Sequence, residues 1–227
     1  LLYPTVIAPL FNRFEPLADG HLAARIGALL DRTGFSSRGV FVMDGSRRSA
    51  HGNAYFTGLG RAKRIVFFDT LLQRLQPSEI EAVLAHELGH FKRRHIAKRL
   101  AFSFFSSLVF LAALGWLAGR IWFYQGLGVT PALDGTQNAV ALVLFMLVVP
   151  VFTFVLAPIA SRISRRHEFE ADAFAVAHTS GDDLASALVK LYEDNAATLT
   201  PDPVHSAFYD SHPPAAIRIA RLQAAAA

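Results

Sequence analysis

PSEIEAVLAHELGHFKRRHIAKRL, residues 77 to 100, is the stretch from which the rest of the chain is read. Pro77 and Ser78 open it like a helix, and Glu81 follows Ser78 at capping-box spacing. On a helix His86 and His90 stand one above the other, so two imidazoles can reach one metal ion. Glu87 sits beside them, placed to take a proton from a water at that metal. The bland alternative is a solvated or core helix that happens to hold two histidines. The remainder of the chain favours zinc, one ion per chain.

Composition narrows the setting. Hydrophobic residues make up 52% of the 227, Phe alone supplies 19, and the mean hydropathy is positive, which points toward a membrane. The net charge of +4 could suit nucleic acid, but no nucleic-acid motif is present. The basic residues crowd beside apolar spans and read as topology signals. With no Cys, disulfides are excluded and a zinc site must use His and carboxylate ligands. The sequence starts at Leu1 with neither Met nor a signal-peptide pattern, and is read as a portion of something longer.

In chain order, Leu1 to Pro16 is apolar and broken by Pro4, Pro9 and Pro16, as in an extended, docked segment. From Leu17 to Thr33, Leu22, Ile26, Leu29 and Leu30 form one helical face, and Gly34 is a stop. Gly39 to Met43, Asn53 to Thr57 and Arg64 to Phe68 are strand-like and predict a small antiparallel sheet beside the catalytic helix. An exposed edge of such a sheet can pair with an extended peptide, although a plain packing platform fits the same pattern.

Two apolar runs follow, Leu100 to Gly119 and Ala139 to Ala160, each long enough to cross a bilayer, with Pro150 and Pro158 predicted to kink the second. Arg120 and Asp134 are the only charges between them. Lys92, Arg93, Arg94, Lys98 and Arg99 precede the pair, and Arg162, Arg165 and Arg166 follow it. The positive-inside rule therefore places both outer ends, and the histidines, on the cytoplasmic side. The competing reading is a helical hairpin buried in a large soluble protein.

Measured along continuous helices, His90 lies ten residues before Leu100 and Glu168 eight residues after Ala160, roughly 15 and 12 Å. In a hairpin these levels nearly coincide. Glu168 and Asp172 are four apart and share a face, whereas Glu170 points almost the opposite way, toward solvent or Arg166. This favours Glu168 as third metal ligand and Asp172 as acceptor for an imidazole N–H. His95, five residues past His90, is rotated off that face and is left out. Arg93 stands where a metzincin needs Gly and Ile96 where it needs a third His. Further on, Gly181 to Asn195 is amphipathic, and Ser211-His212-Pro213-Pro214 opens a final helix with His212 near its N-terminus.

Six pieces carry a family resemblance: PTVIAPLFNRFEPL (Pro4 to Leu17), SRRSAHGNAYF (Ser46 to Phe56), RIVFFDTLL (Arg64 to Leu72), HELGH, SRRHEFEADAFA (Ser164 to Ala175) and SHPPAAIRIARL (Ser211 to Leu222). In this order they resemble the catalytic, C-terminal portion of the type I CAAX prenyl endopeptidases, zinc proteases embedded in membranes. The resemblance implies zinc on His86, His90 and Glu168, with Glu87 as base and Asp172 supporting an imidazole. It also implies Asn53, Ala54, Tyr55 and Phe56 as an edge strand aligning the substrate backbone, and His212 and Arg218 as groups that bind substrate or stabilise the transition state. Members of the family carry further transmembrane helices ahead of the segment matching Pro4 to Leu17.

The expected protein is thus mainly α-helical: an integral-membrane helical zinc metalloprotease with a transmembrane hairpin and a small antiparallel sheet. The expected regions are 1–78 (linker, helix and sheet), 79–175 (catalytic helix, hairpin and third-ligand helix) and 176–227 (C-terminal helices with the HPP segment). The expected partners are a peptide or protein substrate, prenylated by analogy, and the lipid bilayer, with no nucleic acid. The bacterial inner membrane or the endoplasmic reticulum is the expected location, with the active site toward the cytoplasm. Two rivals stand beside this reading: a general quality-control protease of the same chemistry, and a metal-binding membrane scaffold without catalysis. The intact Glu87 argues against the scaffold, because a structural zinc site needs no base.

Overall fold

A short helix, α1 (Ala8–Phe11), and a three-residue strand, β1 (Phe14–Pro16), occupy the proline-marked N-terminal segment, which is therefore not extended throughout. The structure, a computed structural model, describes residues 7–47, 52–57, 64–131, 137–194 and 200–226. Residues 1–6 of the expected extended segment, 48–51 of the Ser46 to Phe56 motif, Asp134 and Asn195 lie outside the described residues. Helix α2 (Gly20–Thr33) is capped by Asp19, whose carboxylate accepts from the backbone N–H groups of His21 and Leu22 at 2.9 and 3.0 Å. It stops at Gly34, which adopts the left-handed φ of +64° that a side chain resists.

Strands β2 (Val40–Met43), β3 (Ala54–Thr57) and β4 (Arg64–Phe68) fall where the sequence places them. Their pairing differs from expectation. Among the described residues the sheet has four strands in the order β1-β2-β4-β3 and is mixed: β2 runs parallel to β4 (Phe41 opposite Val66), and the other two pairs are antiparallel. Strand runs fix where strands are but not which neighbours they take; here the chain between β2 and β3 skips one place and β4 returns into the gap. Pro16, which has no N–H to donate, sits on the edge strand β1, where the loss costs least. Among the described residues, strand β3 is the opposite edge.

After α3 (Asp69–Arg74) comes α4 (Pro77–Lys92), the helix of the histidine motif. Gln76 is its N-cap, so the third helical residue is Glu79, and the capping box is Gln76 with Glu79, not Ser78 with Glu81. The Glu79 carboxylate accepts from the Gln76 N–H at 2.7 Å and also receives Ser186 and Lys190. Glu81 instead turns to α2 and pairs with Arg25 and Arg32. The core lies between α2, the buried strand β4 (Ile65, Phe67), α4 (Ile80, Leu84, Leu88) and α9 (Gly181–Asp194; Leu184, Leu188).

Helix α4 does not run on into the first apolar span. Arg93 ends it and Arg94 takes left-handed backbone angles (φ 57°, ψ 35°), uncommon for a residue with a side chain. Helix α5 (His95–Ala118) then starts afresh. After α6 (Ile121–Gly126) comes α7 (Gln137–Phe154), which contains Pro150. The second expected span is broken, not merely kinked: α7 stops at Phe154 and α8 (Ala157–Val176) begins with Pro158 in its first turn. Helices α5 and α7 are each long and apolar enough to cross a membrane, and 0% and 6% of their apolar windows are buried in the chain. Tyr124 of α6 plugs the turn between them: its hydroxyl donates to the Ala118 carbonyl at 2.8 Å, satisfying an acceptor left open at the end of α5. Helices α10 (Pro203–Tyr209) and α11 (Ala215–Ala226) complete the chain; α11 starts just after Pro213 and Pro214, later than the sequence suggests.

Candidate metal centre

Everything at the site depends on how closely α8 approaches α4. A Cβ on Gly89 would lie 2.9 Å from the Ala171 Cα and 3.0 Å from the Phe174 Cβ. Gly89 therefore lets the two helices meet at backbone distance, which sets Glu168 and Asp172 level with the histidines.

At that level His86 Nε2 and His90 Nε2 are 3.1 Å apart. Glu168 Oε1 is 3.3 Å from His90 Nε2, and Oε2 is 3.7 Å from His86 Nε2. Four-coordinate zinc with bonds of about 2.0–2.1 Å separates its ligand atoms by about 3.3–3.4 Å, so these spacings fit one ion. The donor set of two imidazoles and a carboxylate is also one that zinc accepts. Glu168 is 5% exposed, a buried carboxylate that brings negative charge to this cluster.

Asp172 Oδ1 lies 2.9 Å from His86 Nδ1, so that nitrogen carries the proton and Nε2 keeps its lone pair. Arg218 grips Asp172 with two N–H groups, Nε to Oδ2 at 2.9 Å and Nη2 to Oδ1 at 2.6 Å, and its Nη1 is 3.4 Å from Glu168 Oε2. Burial pushes the Asp172 carboxyl up, but His86 and Arg218 more than offset this and hold it below its ordinary value. Burial likewise pushes Glu168 up, and the His212 imidazole more than offsets this and brings it well below the usual carboxylate range.

His212 Nδ1 is 2.9 Å from Glu168 Oε2, while its ring remains 63% exposed, so it faces both the site and the outside. The Glu168 carboxylate raises its pKa above the ordinary value. Glu87 is half-buried on α4, and its charge also raises His212, which places the two in electrostatic reach. Arg218, expected to bind substrate or stabilise the transition state, is 4% exposed and held by Asp172 beside Glu168. Strand β3 connects to α4 through a chain of rings, Phe56 to Phe35 at 5.5 Å and Phe35 to Phe91 at 5.1 Å. Asn53 lies just before that strand and accepts the Phe68 N–H through its carbonyl.

Sequence reasoning missed His95. Its Nδ1 is 3.0 Å from His90 Nδ1 and its Nε2 3.1 Å from Glu170 Oε2. An angle taken along one continuous helix does not carry past the break at Arg94. Glu170 does bind Arg166, as expected, and takes His95 in addition.

With this geometry established, comparison with known proteins is informative. The model of peptidase family M48 matches residues 16–226. The chain belongs to peptidase family M48. Within M48 it is similar to CAAX prenyl protease 1 of Saccharomyces cerevisiae, at 38% identity over 97% of this chain and 51% of that protein. It is 40% identical to the CAAX prenyl protease 1 homolog of Arabidopsis thaliana over 96% of this chain and 51% of that one, and 33% identical to the Homo sapiens homolog over 98% and 54%. The crystal structure of S. mikatae Ste24p superposes with a TM-score of 0.86 at 37% identity, covering 97% of this chain and 54% of that one. The chain spans about half the length of the curated relatives it matches.

Proposed function

We propose that this M48 chain is the catalytic portion of a membrane-embedded zinc endopeptidase that acts on extended peptides in the manner of the CAAX prenyl proteases. The observation that carries it is the convergence of His86 Nε2, His90 Nε2 and the Glu168 carboxylate within 4.8 Å of one another, with Glu87 adjacent. Zinc held there would supply a Lewis acid that polarises a carbonyl and lowers the pKa of water. Glu87 takes the proton of the attacking water and returns it to the leaving amine. His212, half in solvent, donates to the oxygen on which charge develops. Asp172 fixes the His86 tautomer, and Arg218 holds Asp172 in place and offsets its charge. Strand β3, with Asn53 just before it and Ala54, Tyr55 and Phe56 within it, is the strand along which an extended substrate would align.

Helices α5 and α7 would cross the bilayer as a hairpin, with the metal site on the cytoplasmic side beside the Lys92–Arg99 and Arg162–Arg166 groups. Prenylated peptides are the proposed substrates, by similarity to relatives whose names carry that activity. The test is Glu87→Gln in detergent-solubilised chain, assayed on a prenylated peptide and on an unprenylated unfolded protein. Zinc content is expected to match the parent while turnover falls roughly 10²–10⁴-fold. Near-parental turnover would remove Glu87 from the mechanism, and equal cleavage of the unfolded protein would favour a quality-control protease.

A further inference from the structure

The two histidines of the motif are supported in different ways. His86 Nδ1 meets the Asp172 carboxylate directly. His90 Nδ1 meets another imidazole, His95, at 3.0 Å between the two Nδ1 atoms. His95 is 5% exposed and stacks on His167 with ring centroids 4.0 Å apart and planes 13° from parallel. Its other nitrogen reaches Glu170 Oε2 at 3.1 Å, and Glu170 Oε1 accepts from Arg166 Nε at 3.0 Å.

The proton positions follow from the end of this chain. Glu170, paired with Arg166, is a carboxylate and only accepts, so the proton of His95 sits on Nε2. A neutral imidazole has one ring proton, which leaves His95 Nδ1 as a lone pair. The group 3.0 Å away, His90 Nδ1, must then be the donor. His90 Nε2 is thereby unprotonated, and it is the nitrogen that faces His86 Nε2 and Glu168. The opposite arrangement, with a proton on His90 Nε2, would aim an N–H at the metal position.

We infer that His95 and Glu170 form a relay that fixes the tautomer of His90, making them positioning residues for the metal site through one intervening imidazole. The inference rests on the proposal that His90 is a metal ligand. It gives the left-handed Arg94 a purpose: the turn brings the first residue of α5 back against the last imidazole of α4. Stacking on His167 holds the His95 ring in the plane this contact needs. Because Glu170 and Glu168 leave α8 about 200° apart, one helix serves the metal from one side and its support from another.

The experiment uses the full chain in detergent, loaded with zinc, with ¹⁵N-labelled histidine. In the parent, His90 is expected as the Nδ1–H tautomer and His95 as the Nε2–H tautomer. Zinc affinity, by competition with a chromogenic chelator, is then compared among variants. His95→Leu, which removes the acceptor, is expected to weaken zinc roughly 10–100-fold. His95→Asn, whose carbonyl can still accept from His90 Nδ1, is expected to recover part of that loss; a merely packing role predicts no such rescue. Glu170→Gln is expected to populate both His95 tautomers while leaving the fold intact, so it serves if His95→Leu does not fold. His90→Ala is the control for the underlying ligand assignment: unchanged zinc affinity there removes the ligand reading itself. Parental affinity in His95→Leu, or a His95 Nδ1–H tautomer in the parent, overturns the relay.

Discussion

Helices α4 and α8 meet through Gly89 and Ala171, and the space beside that contact is filled with charge: Glu168, Asp172 and Arg218 are each 5% exposed or less. Helices α5 and α7 meet through Leu114, Leu117, Val140, Leu144 and Phe145, and turn Phe102, Phe105, Val109, Met146, Leu147 and Phe152 outward, each more than 60% exposed. The first pair is polar inside and surrounded by protein. The second is apolar outside, with its backbone satisfied within each helix, as a bilayer requires. The contrast shows that burial in this chain was not assigned by hydrophobicity alone. Charged groups are interior where partners complete them, and large apolar groups are exterior on the two helices long and apolar enough to cross a membrane.

The comparison breaks most severely if Asp172 is removed. Asp172→Ala takes the acceptor from His86 Nδ1 and leaves the Arg218 guanidinium buried without its partner. Zinc is expected to bind roughly 10–100-fold more weakly, and stability to fall by about 3–5 kcal/mol. Chelator competition and thermal unfolding in detergent measure the two losses. A variant as stable as the parent would mean that the Arg218 charge finds another partner.

A matched pair of glycine substitutions sharpens the contrast between the regions. Gly89→Ala forces a methyl against the Ala171 backbone and is expected to cost about 1–3 kcal/mol and to reduce zinc affinity. Gly115→Ala in α5 meets nothing within 4 Å, and is expected to stabilise the helix by about 0.5–1 kcal/mol with zinc affinity unchanged. Equal effects from the two would show that α4 and α8 are not packed at backbone contact.

The smallest effect concerns pH. From Leu100 to Ala118 and from Gln137 to Phe154 no residue is charged, so stability that depends on pH arises elsewhere. Burial raises Glu79, but Lys190, Ser186 and the Gln76 N–H lower it further, leaving its folded pKa below the ordinary 4.5. Its stabilisation is therefore complete above about pH 4.5 and lost as the pH falls through the lower folded value. Unfolding profiles are expected to show a shallower acid slope for Glu79→Gln than for the parent.

Local chemistry in the sequence determined the helix α2 and its stop at Gly34, the three main strands, the two apolar spans and the His86–His90 pair. Each is specified by neighbours a few residues away, through capping, period and length. The face shared by Glu168 and Asp172 was also legible, because four residues on one helix fix a direction. Only the tertiary structure decided what depended on breaks and returns in the chain. The parallel pairing of β2 with β4 is one such case, since a strand's partners are chosen across the sheet and not along the chain. The contact of His95 with His90 is another. A helical-wheel angle holds only while the helix continues, and the left-handed turn at Arg94, unannounced by any glycine, ended one helix and aimed the next.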